Sequence, residues 1–490
     1  MAVQAPEKLM TRAEFLKLCL YVLSRGPNLT VSPAFPAPVQ APFQDVPVTA
    51  WYSGYVAFAK QCGITEAAQG LFDPDAHVTR GEAVGFIMRT LELNGGARAK
   101  DPLQAFPDSS DSDVINARSA DIAKGREDGL FHPNLSLNRA EAVAMIARAL
   151  PNLENAPPVS FGMTAYTPDN PLIPEVALTG VCPRVGIRFN RPNDSAHLIR
   201  VRLDLGPTES GTYYALRRTE NSIKVWPSKD KSSPPYLGEN DSYAFPSISS
   251  SLTTNVYVEN VSPFESVLYL ELRRQSDHVV LASKRLGFHY FDHAVIVLEG
   301  EEFNDDTLPS PTSSIGNVGR ILYERGYDVY MYNEGHVDGS GSGAVFDDVF
   351  DAMTQRFVRR LAIIGFSHGG GAVYDLVSKL VHDNRLDELF TLEFTAYVDA
   401  IKRGTPDPDL GHDAVTQPPE KSKFHVNIYQ HKGCFLSCFL KGTSIPDSDV
   451  ELDVTDDTEW GKDLVHKNSI AEDYHVWNLI VARLVEHLEP

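Results

Sequence analysis

The chain has 490 residues, 42% of them hydrophobic and 22% charged, a composition that excludes a disordered or fibrous polymer. Its length fits roughly two to four domains. With 65 acidic against 44 basic residues the formal charge is −21 and no Lys/Arg-rich run occurs, which argues against a nucleic-acid partner. No apolar stretch approaches the ~20 residues needed to span a bilayer.

The chain opens with MAVQAPEKLMTRAEF, which carries no signal-peptide pattern. Three segments then share one signature: MTRAEFLKLCLYVL from Met10, VTRGEAVGFIMRTL from Val78 and LNRAEAVAMIARAL from Leu137. Each reads Thr/Asn-Arg-x-Glu followed by an apolar helical stripe. Thr11, Thr79 and Asn138 suit the N-cap, with Glu14, Glu82 and Glu141 placed to close a capping box. A second signature precedes two of these helices, as Phe43-x-Asp45 and Phe106-x-Asp108, each leading through a helical stretch to an LFDP or LFHP turn. Together these motifs resemble the S-layer homology repeat over about residues 8–150. The resemblance implies α-helical repeats that attach to a cell-wall or cell-surface polysaccharide through the motif arginines, here Arg12, Arg80 and Arg139. The arginines could instead pair with helix ends and acids. The first repeat lacks its Phe-x-Asp half, and the third has Asn138 for the motif threonine.

PAFPAPVQAPF from Pro33 reads as a stiff connector, and Pro151, Pro157 and Pro158 mark the end of the repeats. Of the five cysteines, Cys19 and Cys62 fall on apolar helical patterns and read as core residues. Cys434 and Cys438 are either a local bridge or buried thiols, so cysteine usage leaves the compartment open. From about Ser160 to Tyr290 the period changes to two, as in IRVRLDLG and SVLYLELRR, with Pro, Gly, Asn and Ser between the runs. That pattern predicts an all-β sandwich. Tyr213, Tyr214, Trp226 and Tyr236 are expected to serve its packing, the alternative being a glycan platform.

After Asp292, apolar runs alternate with helical stripes: HAVIVLEG, SIGNVGRILYERG, YDVYMYNEG, AVFDDVFDAMTQRFVRR, LAIIGFS and HGGGAVYDLVSKLV. Continuous Val/Ile/Leu runs between helices predict a doubly wound, mostly parallel sheet. Gly365-x-Ser367-x-Gly369 falls between the predicted strand and helix. Glycines on both flanks let the backbone turn sharply enough to present a hydroxyl, and the helix behind it aims free N–H groups at developing negative charge. A serine also needs a base, and the base a group that holds its tautomer.

This region resembles the lipase/esterase side of the α/β-hydrolase family over about residues 292–490, whose order is serine, acid, histidine. On that order Ser367 is the nucleophile, Asp399 the acid at the end of a strand and His466 the base before the last helix. His475 is the competing base, and Asp447, Asp449 and Asp453 are competing acids. The resemblance places the oxyanion donors at the N–H of His368 and at Glu301 or Gly300.

The expected layout is thus an S-layer-homology anchoring region over 1–152, a β-sandwich over 153–290 and an α/β-hydrolase domain over 291–490. The expected function is cleavage of carboxylic esters at a cell surface or envelope, with an ester substrate, a polysaccharide partner and no metal or organic cofactor. A serine peptidase uses the same constellation. A protein of a different class, a surface glycan-binding or adhesion protein with an inert hydrolase-like domain, is the alternative. The polar, Pro-rich loop from Lys402 and the Gly/Ser-rich HVDGSGSGAV loop lean toward soluble or polymeric esters over emulsified lipid.

Overall fold

The computed structural model describes residues 5–24, 35–38, 41–65, 70–93, 105–154, 161–178, 182–189, 197–278, 280–300, 309–312, 314–402, 415–431, 441–455, 464 and 470–488. Glu301, Cys434, Cys438 and His466 lie outside them.

The N-terminal region is helical: α1 (Arg12–Leu23), α2 (Ser53–Gln61), α3 (Arg80–Glu92), α4 (Ser112–Ser119) and α5 (Arg139–Glu154). Thr11 and Thr79 close capping boxes with Glu14 and Glu82. Asn138 does the same, its Oδ1 accepting from Glu141 N–H at 2.9 Å, so the change from threonine keeps the cap. α5 continues through Pro151 to Glu154, past the expected break. The residues just before the three caps bond cyclically: Met10 N–H donates to Leu137 O, Leu137 to Val78 O and Val78 to Met10 O, each at 3.0 Å. The segments thereby close a three-lobed ring around one core that includes Phe15, Leu20, Phe72, Ile87, Phe131 and Ile146. The Phe-x-Asp signature organises two of the lobes. Asp45 accepts from the N–H groups of Phe72 and Asp73, Asp108 from those of Phe131 and His132.

Two sheets follow. β1 (Gly162–Ala165), β3 (Leu198–Leu205), β7 (Leu252–Asn260) and β5 (Ile223–Trp226) form an antiparallel sheet in that order. β2 (Arg184–Ile187), β9 (Val280–Tyr290), β8 (Ser266–Arg274), β4 (Thr212–Arg218) and β6 (Ser242–Ala244) form the second. Their inner faces share one core, including Val201, Leu203, Tyr214, Val256, Leu268 and Leu286. Tyr214 is buried there, and Trp226 donates its ring N–H to Glu259, which favours packing over a glycan platform. Cys62 is bonded to Cys182, correcting its reading as a plain core thiol; Cys182 packs on the helical core. The sequence pattern missed this because the two cysteines are 120 residues apart and belong to different layers of the molecule.

β9 runs, after only Phe291 and Asp292, into the third sheet. This one is wholly parallel: β10 (His293–Glu299), β11 (Val329–Asn333), β12 (Arg360–Phe366), β13 (Thr391–Val398), β14 (His425–Tyr429) and β15 (Val450–Asp453), in the order β11-β10-β12-β13-β14-β15. α6 (Gly316–Glu324) and α9 (Tyr474–His487) cover one face, α7 (Ala344–Gln355) and α8 (His368–His382) the other. The central strands carry apolar residues on both faces, as burial on both sides requires. β15, with the exposure pattern of an edge, was not legible as a strand. Among the described residues, no helix is long and apolar enough to cross a membrane.

Candidate functional site

The order of the parallel strands creates a switch point. From β10 the chain goes to one side to make β11, then returns to the other side to make β12. Loops leaving neighbouring strands in opposite directions open a crevice at their C-terminal ends, where ligands bind in such sheets. Ser367 follows β12 and Gly300 follows β10, so both lie at that crevice.

Ser367 has φ 54° and ψ −126°, a conformation that L-residues rarely hold. The surrounding backbone fixes it there: its N–H donates to Val398 O and its carbonyl accepts from Ile401 N–H, both at 3.0 Å. Both flanking glycines are sterically required. A Cβ on Gly365 would lie 2.3 Å from Gly369 O, and one on Gly369 would lie 2.3 Å from Leu298 O. Gly370 and Gly371 press on Ala400 and on Ile401 O in the same way, which lets α8 sit directly against the end of β13. His368 is the first residue of α8, whose initial N–H groups have no intrahelical acceptor. Gly300 abuts the serine from the other side, where a Cβ would be 3.0 Å from Ser367 Cβ.

Asp399 directly follows β13, with φ 49° and no exposed surface. It lies between Val398 and Ile401, the residues that hold Ser367 in place, so acid and serine share one piece of backbone. Its carboxylate accepts from Gln430 Nε2 at 2.8 Å, from Gln430 N–H at 3.3 Å and from Gly442 N–H. Sequence reasoning missed both donors. The available signal was a glutamine closing the apolar strand FHVNIY.

The competing acids sit elsewhere. Asp449 accepts from His425 N–H at 2.8 Å, at the start of β14 and β15 and so at the opposite end of the sheet from Ser367. Asp447 precedes it in the same turn. Asp453 is at the correct end but half exposed, facing His431 at 3.3 Å. His475 is the second residue of α9, partly exposed, with Nδ1 3.0 Å from the Asp473 cap. It is thus a residue of the helix entrance and not of the helix core.

In the N-terminal ring the motif arginines join neighbouring repeats. Arg12 pairs with Glu82, Arg80 with Glu141 at 3.7 Å and Arg139 with Glu14 at 3.4 Å. Arg80 is buried and donates to Phe131 O and Lys124 O. Arg139, more open, lines a groove of about 430 Å³ with Glu14, Lys17, Trp51 and Val143.

The S-layer homology domain model matches residues 42–84 and 106–143. The chain carries an S-layer homology region. The match omits the Met10 segment, although the ring of hydrogen bonds includes it on equal terms. The chain is 29% identical over 157 residues to Exoglucanase XynX of Acetivibrio thermocellus, covering 31% of this chain and 14% of that protein. It is 28% identical over 148 residues to Amylopullulanase of Thermoanaerobacterium thermosulfurigenes, covering 29% of this chain and 8% of that one. An S-layer homology region marks the protein as cell-surface associated. Among solved structures, an Agrobacterium vitis S4 protein described as a hydrolase aligns with 46% of this chain and 94% of its own, at 11% identity and a TM-score of 0.26. A Sulfolobus solfataricus protein described as a lipase aligns with 50% of this chain and 54% of its own, at 13% identity and a TM-score of 0.17. Likeness at those scores decides nothing about fold or chemistry.

Proposed function

We propose that the protein is a serine hydrolase of the α/β-hydrolase type, held at a cell surface, that cleaves carboxylic esters through an acyl-enzyme. The observation that carries this reading is the strained backbone of Ser367, over-determined by Gly365, Gly369 and the 398–401 segment. Strain of this kind costs about 1–3 kcal/mol and persists where the surroundings impose it. A turn that held an incidental serine would have no need of it.

In this mechanism Ser367 Oγ attacks the ester carbonyl carbon while its proton passes to the His466 imidazole. The oxyanion is held by the N–H of His368 and by that of Gly300 or Glu301. The alcohol leaves with the proton from His466, and water activated by the same base releases the acid. Asp399 holds the imidazole in the tautomer that accepts from serine. None of these steps calls on a metal or an organic cofactor. The amide-cleaving version would use the same groups.

S-layer homology domains bind cell-wall polysaccharide, and the groove beside Arg139 supports that role here. Trp51 offers an exposed ring, and Lys17 and Arg139 offer donors. Arg12 and Arg80 would act on glycan binding mainly by holding the lobes together.

A fluorophosphonate probe tests the hydrolase. Labelling of the wild type is expected to vanish in Ser367→Ala and to fall sharply in His466→Ala, with His475→Ala close to wild type. An unlabelled wild type would favour the inert, glycan-binding alternative; loss in His475→Ala alone would transfer the base to that residue.

A further inference from the structure

The Asp399 carboxylate occupies the point where the β13–β14 ladder ends. Val398 pairs with Ile428, and the Asp399 N–H still donates to Ile428 O at 2.7 Å. There the backbone turns off at φ 49°. The N–H of Gln430, the residue just after β14, therefore meets a side chain in place of a backbone carbonyl. Its N–H donates to Asp399 Oδ1 at 3.3 Å and its Nε2 to Oδ2 at 2.8 Å. Gly442 N–H reaches Oδ1 from the other side. A Cβ on Gly442 would stand 2.7 Å from Oδ1 and 2.9 Å from Tyr429 Cβ, so only glycine allows the approach. Asp399 and Gln430 are both fully buried.

The geometry points to Gln430 as a positioning residue for the hydrolytic site: with Gly442 it locks the plane of the Asp399 carboxylate and so fixes the direction in which the acid meets the base. This rests on the reading of Ser367 and Asp399 as nucleophile and acid. A buried carboxylate with donors on both oxygens cannot rotate without breaking a charge-assisted hydrogen bond. An amide at this position supplies that restraint without adding a second charge.

The test uses the full chain and p-nitrophenyl acetate. Gln430→Leu keeps the backbone N–H bond and removes only the Nε2 bond to Oδ2, and is expected to lower kcat roughly tenfold to a hundredfold, the loss of one hydrogen bond to a charged group, with KM nearly unchanged. Asp399→Asn is expected to lose about a thousandfold or more. The double variant should be no slower than Asp399→Asn alone, because the amide then has no carboxylate to hold. Gln430→Glu places a second carboxyl against Asp399, and the like-charge pair holds one shared proton to a pH well above the usual carboxylate range. Its activity should fall on the alkaline side, as the pair loses its shared proton, in a way the wild type does not. A Gln430→Leu enzyme with wild-type kcat beside a crippled Asp399→Asn would overturn the positioning role alone, as would fully additive losses in the double variant. Wild-type kcat in Asp399→Asn would overturn the underlying reading as well. Should Gln430→Leu fail to fold, the Gln430→Glu profile decides, and absence of the alkaline loss overturns the role.

Discussion

At the scale of single residues, the same chain segment shows which features are local. Gly365, Ser367 and Gly369 are legible as a turn because they stand together in the chain and Gly365 packs directly on Gly369, although Leu298 and the 398–401 segment complete the constraint. The partners of Asp399 are not, since Gln430 and Gly442 lie 31 and 43 residues away. His425 is a third case. It reads as an ordinary polar residue opening an apolar strand, yet it is buried against Tyr397, with Thr395 Oγ1 2.8 Å from Nδ1. Burial lowers its pKa to about 3. The unfolded histidine titrates near 6.5, so the unfolded chain binds the extra proton first. Its contribution to stability is therefore fully present above about pH 6.5 and is lost as pH falls from there toward about 3. We expect Tm to drop across that window and His425→Asn to flatten the drop, measured by thermal melts at stepped pH.

At the scale of elements, α1, α3 and α5 begin alike but their arginines differ in surroundings. Each helix start was readable from Thr/Asn-Arg-x-Glu, since a capping box is completed within one turn. Which arginine stays accessible was not readable, because that depends on what the next lobe places over it. Arg80 sits under Phe131 and its carbonyl; Arg139 borders the open groove. Arg80→Met should destabilise the helical region by about 2 kcal/mol, since Phe131 O and Lys124 O lose their donor. Arg139→Met should cost under about 1 kcal/mol, its pair with Glu14 being partly exposed. The same variant should nonetheless lose retention on purified cell-wall polysaccharide. Urea denaturation and co-sedimentation separate the two effects.

At the scale of the whole molecule, the β-sandwich is joined firmly on both sides. Toward the helical ring the junction is the Cys62–Cys182 bond, beside which Gln61 Nε2 donates to Cys182 O at 3.1 Å. Toward the parallel sheet, Arg188 on the short segment after β2 pairs with buried Asp328 at 2.7 Å, and Arg360 grips Asp292 with two hydrogen bonds. These ties hold the sandwich against the helical ring on one side and the parallel sheet on the other. Closing a loop of 120 residues is worth about 4–5 kcal/mol in the chain-entropy account. Cys62→Ser, or reduction of the wild type, should lower the unfolding free energy by up to that amount. Guanidinium titrations with and without reductant check the value, and peptide mapping checks the pairing.

The sequence by itself determined what depends on neighbours along the chain: the repeat period, the helix caps, the alternation of the sandwich strands and the glycine-boxed serine turn. Only the tertiary structure decided which cysteines meet, which arginine faces a groove, that Asp449 stands at the far end of its sheet from Ser367, and that an amide and a glycine clasp Asp399. The physical reason is range. Caps are closed by bonds spanning a few residues and the glycines of the turn stand together in the chain, whereas these pairings arise from strand order and layer packing, which bring together groups that no local pattern relates.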